Sequence, residues 1–363
     1  MVEAEGRVVR HTRKARLMYE VDYMWVGEKT NTGDAIAMRF TRPDTGTQAV
    51  VIIDGGFHET GERLADHVES YYGTPTVDLV VCTHPDDDHI MGLFEVLERL
   101  DVRRLLIHRP SRYGYGPDDD VKSQIVEDLV ALAQRHGVTV DDTSYAGTSF
   151  FGGALVIAGP TEEYYSEMLR EQSSPSAVGS LSHSMKSAFG ALVREVRSLF
   201  GDPGETMTGD NGGTTPRNNS SIILDLQVEG TRALFTGDSG APALTLAADK
   251  LDALGRSQAT IELFDVPHHG SRHNLTPQLL DRLLGTRTDG IRGGAVASVA
   301  KEAVDHPRAE VANAIKRRGY PVYCSRGVNL WWHGDTAPTR AAYNTPVTAL
   351  EWLDESDDEQ GAA

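Results

Sequence analysis

Seven residues, Thr83-His84-Pro85-Asp86-Asp87-Asp88-His89, constrain this chain more than any other segment: they crowd two imidazoles and three carboxylates into one turn directly behind an apolar run. That run, Val77-Asp78-Leu79-Val80-Val81-Cys82, has the length and composition of a buried strand. The cluster therefore falls at a strand's C-terminal end, where α/β proteins place their chemistry. Imidazole nitrogen together with carboxylate oxygen suits zinc or manganese, commonly in catalytic sites that keep a coordination position open. A polar surface loop would tolerate the same residues, so residues further along the chain decide between the two readings.

Downstream, metal-type residues recur at the ends of further predicted strands. Ala233-Leu234-Phe235-Thr236 runs into Gly237-Asp238, and Leu263-Phe264-Asp265-Val266 runs into Pro267-His268-His269-Gly270-Ser271. Ala295-Val296-Ala297-Ser298-Val299 leads toward Asp305-His306-Pro307. Four strand ends can thus converge on one pocket. With these residues in view the chain resembles the metallo-β-lactamase-fold hydrolases, and within them the ComEC-like branch associated with DNA degradation during DNA uptake. The motifs that carry the resemblance stand in the family's order: His84-x-Asp86-x-Asp88-His89 followed by Ile90-Met91-Gly92-Leu93, then Asn218-Asn219-Ser220-Ser221-Ile222, Thr236-Gly237-Asp238 and His268-His269-Gly270-Ser271. Upstream, Val21-Asp22-Tyr23-Met24-Trp25-Val26-Gly27, Gly33-Asp34-Ala35-Ile36 and Val50-Val51-Ile52-Ile53-Asp54-Gly55-Gly56 are similar to the branch's opening strands and glycine turn. Asp86 replaces the superfamily's second His and Asn219 its third-motif His; both swaps are typical of the branch.

The resemblance implies a four-layer αββα metallo-β-lactamase sandwich over residues 18–352, with a helical insertion at 161–217, a short extension at 1–17 and an acidic tail at 353–363. It implies one or two divalent metal ions, zinc or manganese, with magnesium competitive because oxygen donors replace two imidazoles. His84 and Asp86 would bind one ion with Asn219 nearby. Asp88, His89 and a downstream histidine would bind the other, and Asp238 would bridge both. His268 is favoured as that downstream ligand because it comes first after its strand, leaving His269 to support it or to contact a phosphate. Asp88, Asp238, His269 and His306 are the candidate catalytic residues, with His306 donating a proton to the leaving oxygen or clamping a phosphate. His58, behind the Gly55-Gly56 turn, is a further candidate for a supporting contact, and His183 reads as solvent-exposed.

The implied reaction is metal-assisted hydrolysis by hydroxide drawn from water. The expected activity is phosphodiester cleavage of DNA or another nucleic acid. Two other readings stand beside it: a hydrolase of a small molecule such as a nucleotide, a phosphocholine-like ester or a lactone, and a metal-binding scaffold subunit of a multi-protein defence system. The formal charge of −18 opposes general nucleic-acid binding, which depends on many cationic contacts to phosphate, but leaves room for a local groove. Arg103-Arg104 with Arg109 and Arg112 are the phosphate-contact candidates, while Lys316-Arg317-Arg318 fits a solvated helix face. A chain of 363 residues, 39% hydrophobic and 24% charged, has ample material for one core. With no long apolar run and no signal-like start, a cytoplasmic protein that does not engage membrane is expected. Cys82 and Cys324 should pack as small apolar groups. Residues 161–217, with helical spacing at 162–170 and 184–200, read as a lid beside the pocket or as a protein-partner element.

Overall fold

The computed structural model describes residues 7–10, 18–116, 122–173, 213–228, 230–343 and 345–355, with the single positions 119, 205, 207 and 209. The first sheet is built from Arg7–Arg10 (β1), Tyr19–Tyr23 (β2), Ala35–Thr41 (β3), Gln48–Gly55 (β4), Leu79–Val81 (β5), Arg104–Leu106 (β6) and Thr139–Asp141 (β7). The second holds Ser149–Phe150 (β8), Leu155–Gly159 (β9), Ile223–Val228 (β10), Thr231–Phe235 (β11), Leu263–Asp265 (β12), Gly294–Ala297 (β13) and Val322–Cys324 (β14). Leu330–His333 (β15) and Thr345–Pro346 (β16) then return to the first sheet. The spatial orders are β16-β1-β15-β2-β3-β4-β5-β6-β7 and β8 through β14 in sequence. The strand β1 lies within the segment expected as an N-terminal extension and pairs in parallel with β15.

Strand alternation makes the layers. Along β3 and β4, Ile36, Met38, Phe40, Val51 and Ile53 face one way and meet Leu224, Leu226 and Phe235 of the second sheet. Their neighbours Ala35, Ala37, Val50 and Ile52 face the other way, onto Leu64, Val96, Leu97, Val126 and Leu129. Those residues come from three helices, His58–His67 (α1), Asp87–Arg99 (α2) and Ser123–Arg135 (α3). On the far side Ile223 and Leu234 pack under Glu162–Ser173 (α4), Ala241–Ala253 (α5), Pro277–Leu284 (α6) and Ala309–Arg317 (α7). The result is the expected αββα sandwich, in which each fully buried large apolar side chain contributes about 1.5–3 kcal/mol.

One boundary that differs from the sequence reading matters for chemistry. The helix expected from Ile90 begins at Asp87, because Asp87 and Asp88 in its first turn complement the positive end of the helix dipole. Asp88 and His89 are therefore fixed on a helix rather than on a loop. The same helix presses against β4 at Gly92, where an added Cβ would lie 2.0 Å from the Gly55 carbonyl oxygen. Only glycine lets the metal-bearing helix approach so closely.

The ends of the 161–217 segment belong to the sandwich: Tyr164, Met168 and Met207 are buried in the second-sheet core. Glu205 accepts from both Nη atoms of Arg318 at 3.1 Å. Residues 174–204, with His183 and the helix expected at 184–200, lie outside the described residues. Cys82 is buried and Cys324 half-buried, both as free thiols. No helix among the described residues is long and apolar enough to cross a membrane.

Candidate metal centre

The strands β4 and β5 run parallel, with Val51 to Ile53 opposite Leu79 to Val81, so both release polar residues at the same sheet end. Asp54 there accepts from the Thr83 backbone N at 2.7 Å, the Thr83 hydroxyl at 2.5 Å and His89 Nδ1 at 2.8 Å. Because the Thr83 hydroxyl gives its proton to Asp54, its oxygen is left to accept from His84 Nδ1 at 3.1 Å. Each ring thus has its Nδ1 proton tied back, and Nε2 keeps a lone pair aimed at the centre.

The second sheet supplies the other half. Past β11 the chain reaches Asp238, and past β12 it forms the Pro267–Gly270 turn, in which His268 and His269 both take left-handed backbone angles, φ 49° and 57°. Successive left-handed residues send the two rings apart, with centroids 5.8 Å from one another and planes 68° apart. Asn274 donates through Nδ2 to the carbonyls of Asp238 at 2.9 Å and Ser239 at 3.1 Å. Its Oδ1 is left to accept from His268 Nδ1 at 3.1 Å, so here too Nε2 is the lone-pair nitrogen.

Everything meets at Asp238. Its Oδ2 lies 3.7 Å from His84 Nε2 and 3.6 Å from His268 Nε2. Its Oδ1 lies 3.6 Å from His89 Nε2 and 3.8 Å from His269 Nε2. Asp86 Oδ2 is 3.6 Å from His84 Nε2, and Asp88 Oδ2 is 3.9 Å from His89 Nε2. Each oxygen of one carboxylate thus faces two imidazoles, with Asp86 and Asp88 beside them, and the buried Asp34 also lies within reach of Asp238 and His269.

These separations are too long for hydrogen bonds. They are close to the spacing of about 3.4 Å that tetrahedral donors adopt around an ion at about 2.1 Å. His84 Nε2, His89 Nε2, His269 Nε2 and Asp238 Oδ1 are buried without a hydrogen-bond partner, a cost that a shared cation removes. One donor atom each from Asp88, His89 and His269 lies within 4.8 Å of the others. The donor set around Asp238 fits a divalent ion.

The sequence of residues 44–284 matches the family model of the Metallo-beta-lactamase superfamily. The chain belongs to that superfamily. Among solved structures, a diphosphatase of the PhnP family aligns over 87% of this chain and 98% of its own at 10% identity, with a TM-score of 0.42. The metallo-β-lactamase MIM-1 of Novosphingobium pentaromativorans covers 73% and 80% at 12% identity and 0.32. A mutant metallo-β-lactamase of Cronobacter sakazakii covers 72% and 79% at 12% identity and 0.33. No curated protein matches the sequence.

In this metallo-β-lactamase-superfamily site, carboxylates and imidazoles perturb one another strongly. Burial alone would raise Asp238, but His268, His89, His269 and His84 hold its carboxyl far below the usual carboxylate range. Burial is likewise outweighed at Asp86, which a hydrogen bond and charge from His84, then Arg217 and His89, bring to about 2. Asp88 is raised by burial, and Asp34 by burial to about 6. His269 is pushed down to about 3 by burial and stays neutral, as a ligand ring must. Burial opposes charge on His89 too, but Asp238, Asp88 and Asp54 push it well above its ordinary value.

The structure thus gathers His84, Asp86, Asp88, His89, Asp238, His268 and His269 in one place, and both the favoured His268 and its neighbour His269 face Asp238, one at each oxygen. Asn219 is turned away from Asp238. Its side chain accepts from Gly240 N at 3.1 Å and donates to the Thr214 carbonyl at 3.3 Å, and Asn218 is the neighbour that donates to Asp238 Oδ2, at 3.4 Å. His58 also falls outside the cluster, because it opens α1 in the outer helical layer and pairs with Glu95 Oε1 at 3.1 Å.

His306 is half-buried beside the pair, lowered by burial and then by His268. Its loop is held by Arg308 N donating to Gly270 O at 3.0 Å. Gly270 has φ 91°, and an added Cβ would lie 2.3 Å from Pro307 Cβ. The basic cluster expected to contact phosphate is committed within the protein: Arg103 to Asp78 at 2.7 Å, Arg104 to Asp141 at 3.5 Å, Arg109 to Glu127 at 2.6 Å and Arg112 to Asp142 at 2.6 Å.

Asp54, Thr83, Asn274 and Arg217 are the site residues that sequence reasoning missed. Only Asp54 carries a signal, as a carboxylate at a strand end before two glycines. Asp54→Ala is expected to weaken metal binding by about 10–100-fold, the usual loss when a ligand's orienting partner is removed. Equilibrium dialysis against manganese measures it, and unchanged affinity would show that His89 needs no such partner.

Proposed function

We propose that this chain is a metal-dependent phosphodiesterase of the ComEC-like branch, acting on DNA or another nucleic acid. The observation that carries the reading is the division of Asp238 between two imidazole pairs, a cradle suited to two divalent ions. Ions held there would neutralise a phosphodiester and make hydroxide available from water near neutral pH. The protein's own groups hold the geometry. Asp238 fixes the separation of the two cradles, Asp54 and Thr83 set the rings of His89 and His84, and Asn274 sets that of His268. His306, at the edge of the cluster, is the candidate to protonate the leaving oxygen. Residues 161–217 remain a candidate protein-partner element, and the cytoplasm is the proposed compartment.

Half of the donors are carboxylate oxygens, so manganese is expected to support at least as much turnover as zinc. The test is hydrolysis of linear DNA, single-stranded DNA, RNA and a generic bis-phosphodiester by protein loaded in turn with manganese, zinc and magnesium. Polymer cleavage with manganese at or above zinc supports the proposal. Cleavage of the small ester alone would favour the small-molecule hydrolase, a reading supported by the internal pairing of Arg103, Arg104, Arg109 and Arg112 and by the acidic balance of the chain. Inertness with every ion would favour a scaffold subunit, which the complete donor set argues against.

A further inference from the structure

Three of the four imidazoles around Asp238 have a partner on the nitrogen that faces away from it. His89 Nδ1 is held by Asp54 at 2.8 Å, His84 Nδ1 by the Thr83 hydroxyl at 3.1 Å and His268 Nδ1 by Asn274 Oδ1 at 3.1 Å. The fourth ring is the exception. His269 is buried, and among the described residues neither of its ring nitrogens has a hydrogen-bond partner. Its Nε2 faces Asp238 Oδ1, while its Nδ1 faces Asp34 Oδ1 at 3.8 Å. Asp34 is itself buried, directly before β3. Its backbone N donates to the Asp88 carbonyl at 3.2 Å, and its Oδ2 lies 3.9 Å from His89 Nδ1, a nitrogen that Asp54 already holds. The close approach needs Gly33, where an added Cβ would lie 2.2 Å from the Asp88 carbonyl oxygen. One residue of the first sheet thus reaches Asp88, His89 and His269, the three that face the Oδ1 side of Asp238.

We infer that Asp34 is a positioning residue for His269: its carboxylate accepts the Nδ1 proton, which leaves the Nε2 lone pair for an ion and ties this second-sheet ring to Asp88 and His89 of the first sheet. The role rests on a metal centre at Asp238 and on no particular substrate. A neutral imidazole carries one proton, and a ring that coordinates through Nε2 must carry it on Nδ1, where a carboxylate is the usual acceptor. At 3.8 Å the two groups are not yet hydrogen-bonded. With Nε2 committed to a cation the ring is polarised, Nδ1–H becomes a stronger donor, and the bond should close to about 2.8 Å. His269 serves one oxygen of Asp238, so loss of Asp34 should weaken the ion on that side and spare the ion of His84, Asp86 and His268.

The test is NMR of the metal-free protein labelled with 15N in its histidines, followed by calorimetric titration with manganese, on wild type, Asp34→Ala and Asp34→Asn. In wild type His269 should hold its proton on Nδ1. In Asp34→Ala that preference should disappear, and one manganese should bind about 10–100-fold more weakly while the other is unchanged. Asp34→Asn keeps an amide oxygen that can accept, so it should retain the Nδ1 proton and recover most of the lost affinity. A wild-type His269 protonated on Nε2 would overturn the inference. Equal weakening of both ions in Asp34→Ala would overturn it too, because a merely structural residue would disturb the whole centre. Direct coordination is the competing arrangement, since Asp34, Asp238 and His269 each offer a donor atom within 4.8 Å of the others. In manganese-loaded crystals, an Asp34 oxygen at about 2.2 Å from an ion would make it a ligand and overturn the positioning role. The NMR readout needs neither metal nor turnover: a wild type inert toward every phosphodiester but showing the Asp34-dependent tautomer would reject the nuclease reading and leave the role of Asp34 standing.

Discussion

Asp238→Ala is expected to reduce hydrolysis on the order of 10³-fold or more, because it removes the only carboxylate among the described residues that faces both imidazole pairs. The fold should survive. Asp238 sits in the turn after β11 and is no part of either apolar core. Circular dichroism should therefore match wild type while activity and metal content fall together. Full activity in this variant would exclude the metal mechanism.

His268→Ala and His269→Ala are expected to behave as a matched pair. Each removes one imidazole from a different oxygen of Asp238, so each should lower bound manganese from two ions per chain to one and reduce turnover on the order of 10²-fold. His268→Ala should remove the ion held by His84 and Asp86. His269→Ala should remove the ion held by Asp88 and His89. Metal analysis after gel filtration checks both. Loss of metal in only one of the two variants would mean that only one of the adjacent histidines is a ligand.

What could be read in the sequence was the part written in short, ordered motifs. The strand ends at Cys82, Thr236 and Val266, the cluster from His84 to His89, and Asp238 all stand near one another as the motif order implies. What could not be read depends on pairing and backbone sign. Asp54 reaches His89 across 35 positions only because β4 and β5 lie parallel in one register. His268 and His269 are adjacent in sequence, and adjacency suggested a choice between them; two left-handed residues in succession let both rings face Asp238, one at each oxygen. Sequence also shows charge without its partner. Arg103, Arg104, Arg109 and Arg112 read as available for phosphate, yet each is paired with a carboxylate distant in sequence, whereas Arg217, a single basic residue in a turn, gave no sign of standing beside Asp86. Asn219 fell at the expected motif position, but its short amide accepts from Gly240 at the start of α5 instead of facing Asp238.

The central claim is that Asp238 divides two ions between its oxygens, and crystals grown with manganese test it most directly through anomalous diffraction at the manganese edge. Two peaks are predicted, one contacting Asp238 Oδ1 with Asp88, His89 and His269, the other contacting Oδ2 with His84, Asp86 and His268. A single peak at saturating manganese, or a peak that does not touch Asp238, would contradict it.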